Sequence, residues 1–78
     1  MKLEVMGVYD WPVWKKEAGN FTRNCKQRET HYFVRGKAIV TPSGGESREF
    51  GRGDLVIFPI GTYTWEVLKP VETHFSAE

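Results

Sequence analysis

Cysteine is nearly absent from this chain. Cys25 stands alone among 78 residues, so no disulfide can form within the chain, and the sequence suits a reducing compartment. Long apolar runs are missing too: the longest, residues 55–60, is six residues, against the roughly 20 that a membrane helix needs. The opening MKLEVMGVYDW has no apolar stretch of the kind a secretory signal carries. These absences point to a cytoplasmic protein with no membrane partner. No Ser-His-Asp order, P-loop, dinucleotide glycine fingerprint or Cys-x-x-Cys occurs either, which removes several common catalytic and nucleotide-binding schemes.

A strong charge of either sign is lacking. The net value of +1 combines +4 over residues 1–40 (eight Lys/Arg, four Asp/Glu) with −3 over residues 41–78 (three against six). The basic residues of the first half, among them Lys15, Lys16, Arg23, Arg35 and Lys37, are scattered through separate elements. They form no compact patch of the kind that binds nucleic acid.

Aromatic side chains, by contrast, are plentiful: three Trp, three Tyr and five Phe. A chain this short buries only roughly 60% of its unfolded surface, and each buried aromatic removes roughly 150–250 Å² from water. Eleven of them make one small core feasible, so we expect a single domain over residues 1–78, with a homodimer interface as a further source of stability.

The chain is organised around GRGDLVIFPIGTYTW, residues 51–65. Its six-residue apolar run is bracketed by Gly51-Arg52-Gly53-Asp54 and by Pro59-Ile60-Gly61. It is too short for a helix and reads as a buried strand that ends at Pro59, which donates no hydrogen bond. A second strand then leaves at an angle over residues 62–68.

Elsewhere, residues 2–9 alternate loosely as an edge strand kinked near Gly7. Pro12 holds Trp11 extended, so that Trp11 and Trp14 can fold back onto one surface, as a core plug or lid or as a ligand-stacking pair. Residues 15–20 are polar and form a turn or short helical segment, and residues 21–28 form an exposed or partly cavity-facing strand. Residues 29–35, ETHYFVR, form a stronger strand, with Thr30, Tyr32 and Val34 on one face and Glu29, His31 and Phe33 on the other. Residues 37–41, 46–50 and 71–75 complete the set, with Pro42-Ser43-Gly44-Gly45 as a hairpin turn. Seven or eight short strands with no amphipathic helix predict an all-β barrel or double-sheet roll.

Two motifs resemble a known family. Gly53, Pro59 and Gly61 match the second signature of the cupin superfamily, and Glu29 and Gly36, with six residues between them, match the end of the first. Together with WPVW, ETHYFVRGKAIVTP and a closing Val-x-x-His-Phe, they are similar to the short single-domain cupins of the (S)-ureidoglycine aminohydrolase and ethanolamine-utilisation branch, over about residues 11–75. The resemblance implies a cupin-like jelly-roll β-barrel, often dimeric, whose cavity in many members holds a divalent metal through three His and one Glu. Glu29 matches that glutamate. The two histidine positions of the first motif fall at Thr22 and Asn24, or at Arg23 and Cys25, and that of the second falls at Thr64. Three of the four implied ligands therefore have another residue in their place.

Glu29 and His31 carry the chemistry that remains, and three readings stay open. They bind Mn, Fe, Ni or Zn with Cys25 or His74 completing the set. They act as a metal-free general acid/base pair. Or His31 simply hydrogen-bonds Glu29 or a backbone carbonyl in a polar barrel mouth. Tyr63, Thr64, Phe33 and Cys25 are the expected ligand-facing residues. The function expected is the binding of a small polar metabolite in the barrel, with a metal-dependent, aminohydrolase-like enzyme as the alternative.

Overall fold

The computed structural model describes residues 7–77. Six strands follow a short 3₁₀ turn over Val8–Asp10: β1 (Val13–Lys16), β2 (Gly19–Cys25), β3 (Glu29–Pro42), β4 (Arg48–Gly51), β5 (Leu55–Phe58) and β6 (Gly61–Ala77). All pairings are antiparallel.

The long strands β3 and β6 pair with each other along their length, from Glu29↔Ala77 to Pro42↔Tyr63. Each then acquires two further partners in succession. On the outer edge of β3, its first half pairs with β5 and its second half with β4. On the outer edge of β6, Gly61 to Val67 pair with β2 and Val71 to His74 pair with β1. The ladder therefore folds over into two four-stranded halves, β1-β6-β3-β5 and β2-β6-β3-β4. This is the all-β, cupin-like jelly roll expected from the sequence.

The fold line passes through Gly36. The β3/β6 register shifts at Phe33/Arg35, Arg35/Lys37 and Lys37/Ala38, as bulges do where a strand must bend. Gly36 has φ 95°, and a β-carbon there would lie 2.2 Å from the Pro70 carbonyl oxygen. Only glycine meets both demands.

Strand number is where expectation and structure part. Residues 29–35 and 37–41 are one strand, and residues 62–68 and 71–75 are another, because a sharply bent strand keeps its hydrogen bonds through glycine and proline at a bulge. β5 is also less buried than its apolar composition suggests. Leu55 and Ile57 are exposed while Phe58 is buried, because β5 lies at the edge of the sheet with one face outward. Residues 15–20 are mostly strand, leaving only Glu17 and Ala18 between β1 and β2. The expected N-terminal strand falls largely on residues outside those described. Its last residues, Val8 and Tyr9, sit in the 3₁₀ turn, entered through Gly7 at φ 69°.

Between the halves lies an aromatic core of Phe33, Phe58, Tyr63 and Trp65 with Ala38, Val40, Val67 and Val71. Trp65 stacks on Phe21 and Phe33 with centroids 5.6 and 6.1 Å away, and meets Trp14 edge-on at 5.2 Å. Fully burying Phe33 or Trp65 contributes on the order of 2–3 kcal/mol each.

Candidate functional site

Strand alternation decides which polar groups enter this core. On β3, Glu29, His31 and Phe33 point inward, as expected, and on β6 Thr73 does so between Val71 and Phe75. On β2 the inward set is Phe21, Arg23 and Cys25, while Thr22 and Asn24 are exposed. The inward polar groups form one chain. Arg23 Nε and Nη2 donate to Glu29 Oε1 and Oε2 at 3.1 and 2.9 Å, a two-point clamp on the carboxylate. His31 Nε2 lies 3.1 Å from Glu29 Oε1, and His31 Nδ1 lies 2.9 Å from Thr73 Oγ1.

His31 has no solvent exposure and sits in an aromatic box. Phe75 stacks on it at 5.3 Å, and Phe58 and Trp14 meet it edge-on, both at 5.4 Å. Burial pushes the imidazole pKa below its ordinary value, outweighing the opposing pull of Glu29, so the ring is neutral at pH 7. The tautomer follows from the partners. An ionised Glu29 can only accept, so Nε2–H donates to it and Nδ1 accepts from the Thr73 hydroxyl. Burial pushes the Glu29 carboxyl up, but the hydrogen bonds from Arg23 and His31 together hold it below the usual carboxylate value. Glu29 is ionised, and it accepts three hydrogen bonds from its two neighbours.

Cys25, at the end of β2, is buried, and burial followed by the Glu29 charge pushes its thiol pKa up. Tyr63 faces inward and donates from its hydroxyl to the Pro59 carbonyl at 2.7 Å, with its ring edge-on to Phe58 at 5.2 Å. Arg23 lies under Trp14, 5.3 Å from the ring centroid, with about a quarter of its side chain exposed. It is the outermost member of the chain Arg23, Glu29, His31, Thr73.

The structure thus brings together Glu29, His31, Cys25 and Tyr63 from the sequence-derived set. Three others have no ligand-facing place in that group. Thr64 is exposed between inward Tyr63 and Trp65, because the register Thr22↔Thr64 puts both threonines on the outer face. Phe33 is fully buried against Phe50 and Trp65, a core side chain that faces no opening. His74 is on the outer face, its Nδ1 hydrogen-bonded to the Trp11 carbonyl at 3.1 Å and its ring edge-on to Tyr9. Arg23 enters from the sequence only as an alternative position for a motif histidine, and Thr73 is not singled out there. Each alternates with inward apolar neighbours, Phe21 and Cys25 for one, Val71 and Phe75 for the other, and that was the available signal.

The donor set does not fit a divalent metal. The Arg23 guanidinium occupies the open side of the Glu29 carboxylate, where a cation would have to sit, and its fixed positive charge opposes one. His31 has both ring nitrogens engaged, and Cys25 is held toward the thiol, whereas a ligand must be thiolate. Among the described residues, no three His, Cys, Asp or Glu side chains cluster as a metal site.

Comparison with known proteins agrees with the architecture. The family model of the EutQ-like cupin domain matches residues 3–75, and the chain belongs to that family, within the cupin superfamily. Among solved structures it is similar to a DUF861 family protein from Thermotoga maritima, with 38% identity and a TM-score of 0.94 over 97% of this chain and 88% of that one. It is also similar to a DUF1255 protein of unknown function from Acidithiobacillus ferrooxidans, with 25% identity and a TM-score of 0.77 over 80% of this chain and 60% of that one. A putative ethanolamine utilization protein Q from Salmonella typhimurium shares the fold at 18% identity and a TM-score of 0.73, over 83% of this chain and 53% of that one. No functionally curated protein matches the chain. No helix among the described residues is long and apolar enough to cross a membrane.

Proposed function

We propose that the chain binds a small polar metabolite where Arg23, Cys25, Glu29 and Tyr63 meet at the inner wall of the roll. One observation carries this reading: a charged pair, Arg23 with Glu29, is set into an otherwise aromatic core with Arg23 still partly open to solvent. A buried ion pair is weak as a source of stability, because desolvation offsets much of its attraction, so its presence points to recognition. Arg23 has five N–H donors and gives two to Glu29, which leaves donors for a carboxylate or amide oxygen. Cys25 and Tyr63 lie beside Arg23, Tyr63 standing opposite it in the β2/β6 register.

The alternative, an enzyme using Glu29 and His31 as general acid and base, draws less support. His31 has no exposed surface and bonds to Glu29 and Thr73, so it acts on a ligand only through Glu29. Glu29 is in turn held at a low pKa, which makes it a weak base. We also propose that the chain pairs as a homodimer. The supporting feature is a cross-strand row on the outer face, Val13, His74, Tyr32 and Leu55, in which Val13 and Leu55 are exposed.

The test is thermal unfolding of the full chain with acetate, glycolate, acetamide and glycinamide. A ligand that binds only the folded state raises the midpoint with concentration. The expected result is such a rise with at least one of them, lost in Arg23→Met. A flat response to all four overturns the reading.

A further inference from the structure

A further opening shares only Tyr63 with the residues of this scheme. It is a cavity of ≈ 300 Å³, walled by Val40, Phe50, Val56, Phe58 and Tyr63. It lies between β4 and β5, which both pair with β3 but not with each other, so the roll is open along that line. At ≈ 30 Å³ per water, the space holds about ten heavy atoms, at the small end of ligand sites. Neither Glu29 nor His31 lines it. The Phe58 ring stands between the cavity and His31, 5.4 Å from the imidazole.

Two charged side chains also border it, Glu46 and Arg48. Arg48 is the first residue of β4 and Glu46 lies two residues before it, and both side chains border the hollow. On the paired strands β3 and β4, Lys37 and Glu49 form an ion pair with each other. Among the described residues Glu46 and Arg48 have no ion-pair or hydrogen-bond partner. An apolar hollow with one unpaired charge of each sign at its mouth is complementary to a molecule that has an apolar body and carries both charges at one end.

We propose that this opening is a second ligand site, taking a small zwitterion of the α-amino-acid type with an aromatic or branched apolar side chain, its ammonium toward Glu46 and its carboxylate toward Arg48. The aromatic edges of Phe50, Phe58 and Tyr63 pack against the body of the ligand. A ligand of this size in a partly open site binds with a dissociation constant on the order of 1 mM.

The experiment is isothermal titration of the full chain with L-phenylalanine, with 3-phenylpropionate, which lacks the ammonium, and with 2-phenylethylamine, which lacks the carboxylate. L-Phenylalanine should bind best, by about fivefold over either analogue, the scale of one exposed ion pair. Arg48→Gln should weaken L-phenylalanine by a similar factor and leave 2-phenylethylamine unchanged, and Glu46→Gln should spare 3-phenylpropionate in the same way. Both substitutions are at the surface and leave the fold intact. Val56→Trp, checked for folding by its thermal midpoint, should abolish binding of all three by filling the hollow. No binding of L-phenylalanine up to about 10 mM, equal affinity for the three, or affinity that survives Val56→Trp would each overturn the proposal. Arg23→Met serves to separate the two sites: L-phenylalanine binding should survive it, and loss of binding there would place the ligand at the Arg23 end and refute a second site.

Discussion

Gly36 passes so close to Pro70 that a single added β-carbon would stand 2.2 Å from the Pro70 carbonyl oxygen and 2.5 Å from the Val71 Cα. The two residues mark the line where the β3/β6 ladder folds over, and everything inside the roll depends on that closure. Gly36→Ala should therefore be severe. It combines about 1–2 kcal/mol for a left-handed backbone with an overlap against main chain that cannot move aside. Gly53→Ala is the control: its φ is 92°, but nothing lies within 4 Å of an added Cβ, so only the backbone cost applies. Urea denaturation should show Gly53→Ala losing about 1–2 kcal/mol and Gly36→Ala losing several times that or failing to fold. Equal losses would refute the account of the corner.

Arg23 and Glu29 should be strongly coupled. Removing one member leaves the other buried with its charge uncompensated, which costs about 3–5 kcal/mol at a fully buried pair and less here because Arg23 is partly exposed. We expect about 1–3 kcal/mol for Arg23→Met, a similar loss for Glu29→Gln, and a double variant well short of the sum. A double-mutant cycle in urea measures this directly. Additive losses would mean that the two groups act independently.

Acidification should destabilise the fold in two steps, and the signs follow from the two depressed pKa values. His31 is buried neutral with its pKa lowered. The unfolded chain, with His near 6.5, then binds a proton the folded one refuses, so stability is full above about pH 6.5 and falls as the pH drops toward the folded pKa. Glu29, also depressed, adds a second loss that begins near its unfolded value of about 4.3 and continues as the pH falls through its folded pKa. Each kcal/mol lost lowers the midpoint of a domain this size by about 4–8 °C. Thermal midpoints between about pH 7 and about pH 5 should decline for the native chain and flatten in His31→Gln. An unchanged slope in that variant would remove His31 from the explanation.

Metal analysis of tag-free protein should find well under one equivalent of Mn, Fe, Ni or Zn, and adding these ions should leave the midpoint unmoved, since a tight ligand of the folded state raises it. Arg23 is the physical reason, for its guanidinium already neutralises Glu29. Arg23→His exchanges that cation for a ligand beside Glu29 and Cys25, and should give the first measurable Zn-induced rise. Stoichiometric metal in the native chain would contradict the assignment of Glu29 to Arg23.

Much of the site's pattern was legible in advance. The alternation in ETHYFVR alone places Glu29, His31 and Phe33 on one face, because side chains alternate strictly along a strand. The alternation in FTRNC and in VETHF likewise groups Arg23 with Cys25 and Thr73 with Val71. What the letters do not state is which of two faces is the inner one, since that depends on register with a strand some 40 residues away. Thr64 shows the consequence: motif spacing aligned it with a ligand position, yet its pairing with Thr22 turns it outward.

Local physical chemistry, readable from order alone, determined that this chain would form strands, that Gly53 and Pro59 would bound β5, and that aromatic side chains would supply most of the core. Only the tertiary structure decided that two pairs of strands are really two long ones bent at Gly36 and Pro70. It also decided that Arg23, rather than a metal ion, answers the charge of Glu29. Both outcomes rest on contacts between residues distant in sequence, and a chain acquires those only when the sheet rolls over and brings its two halves face to face.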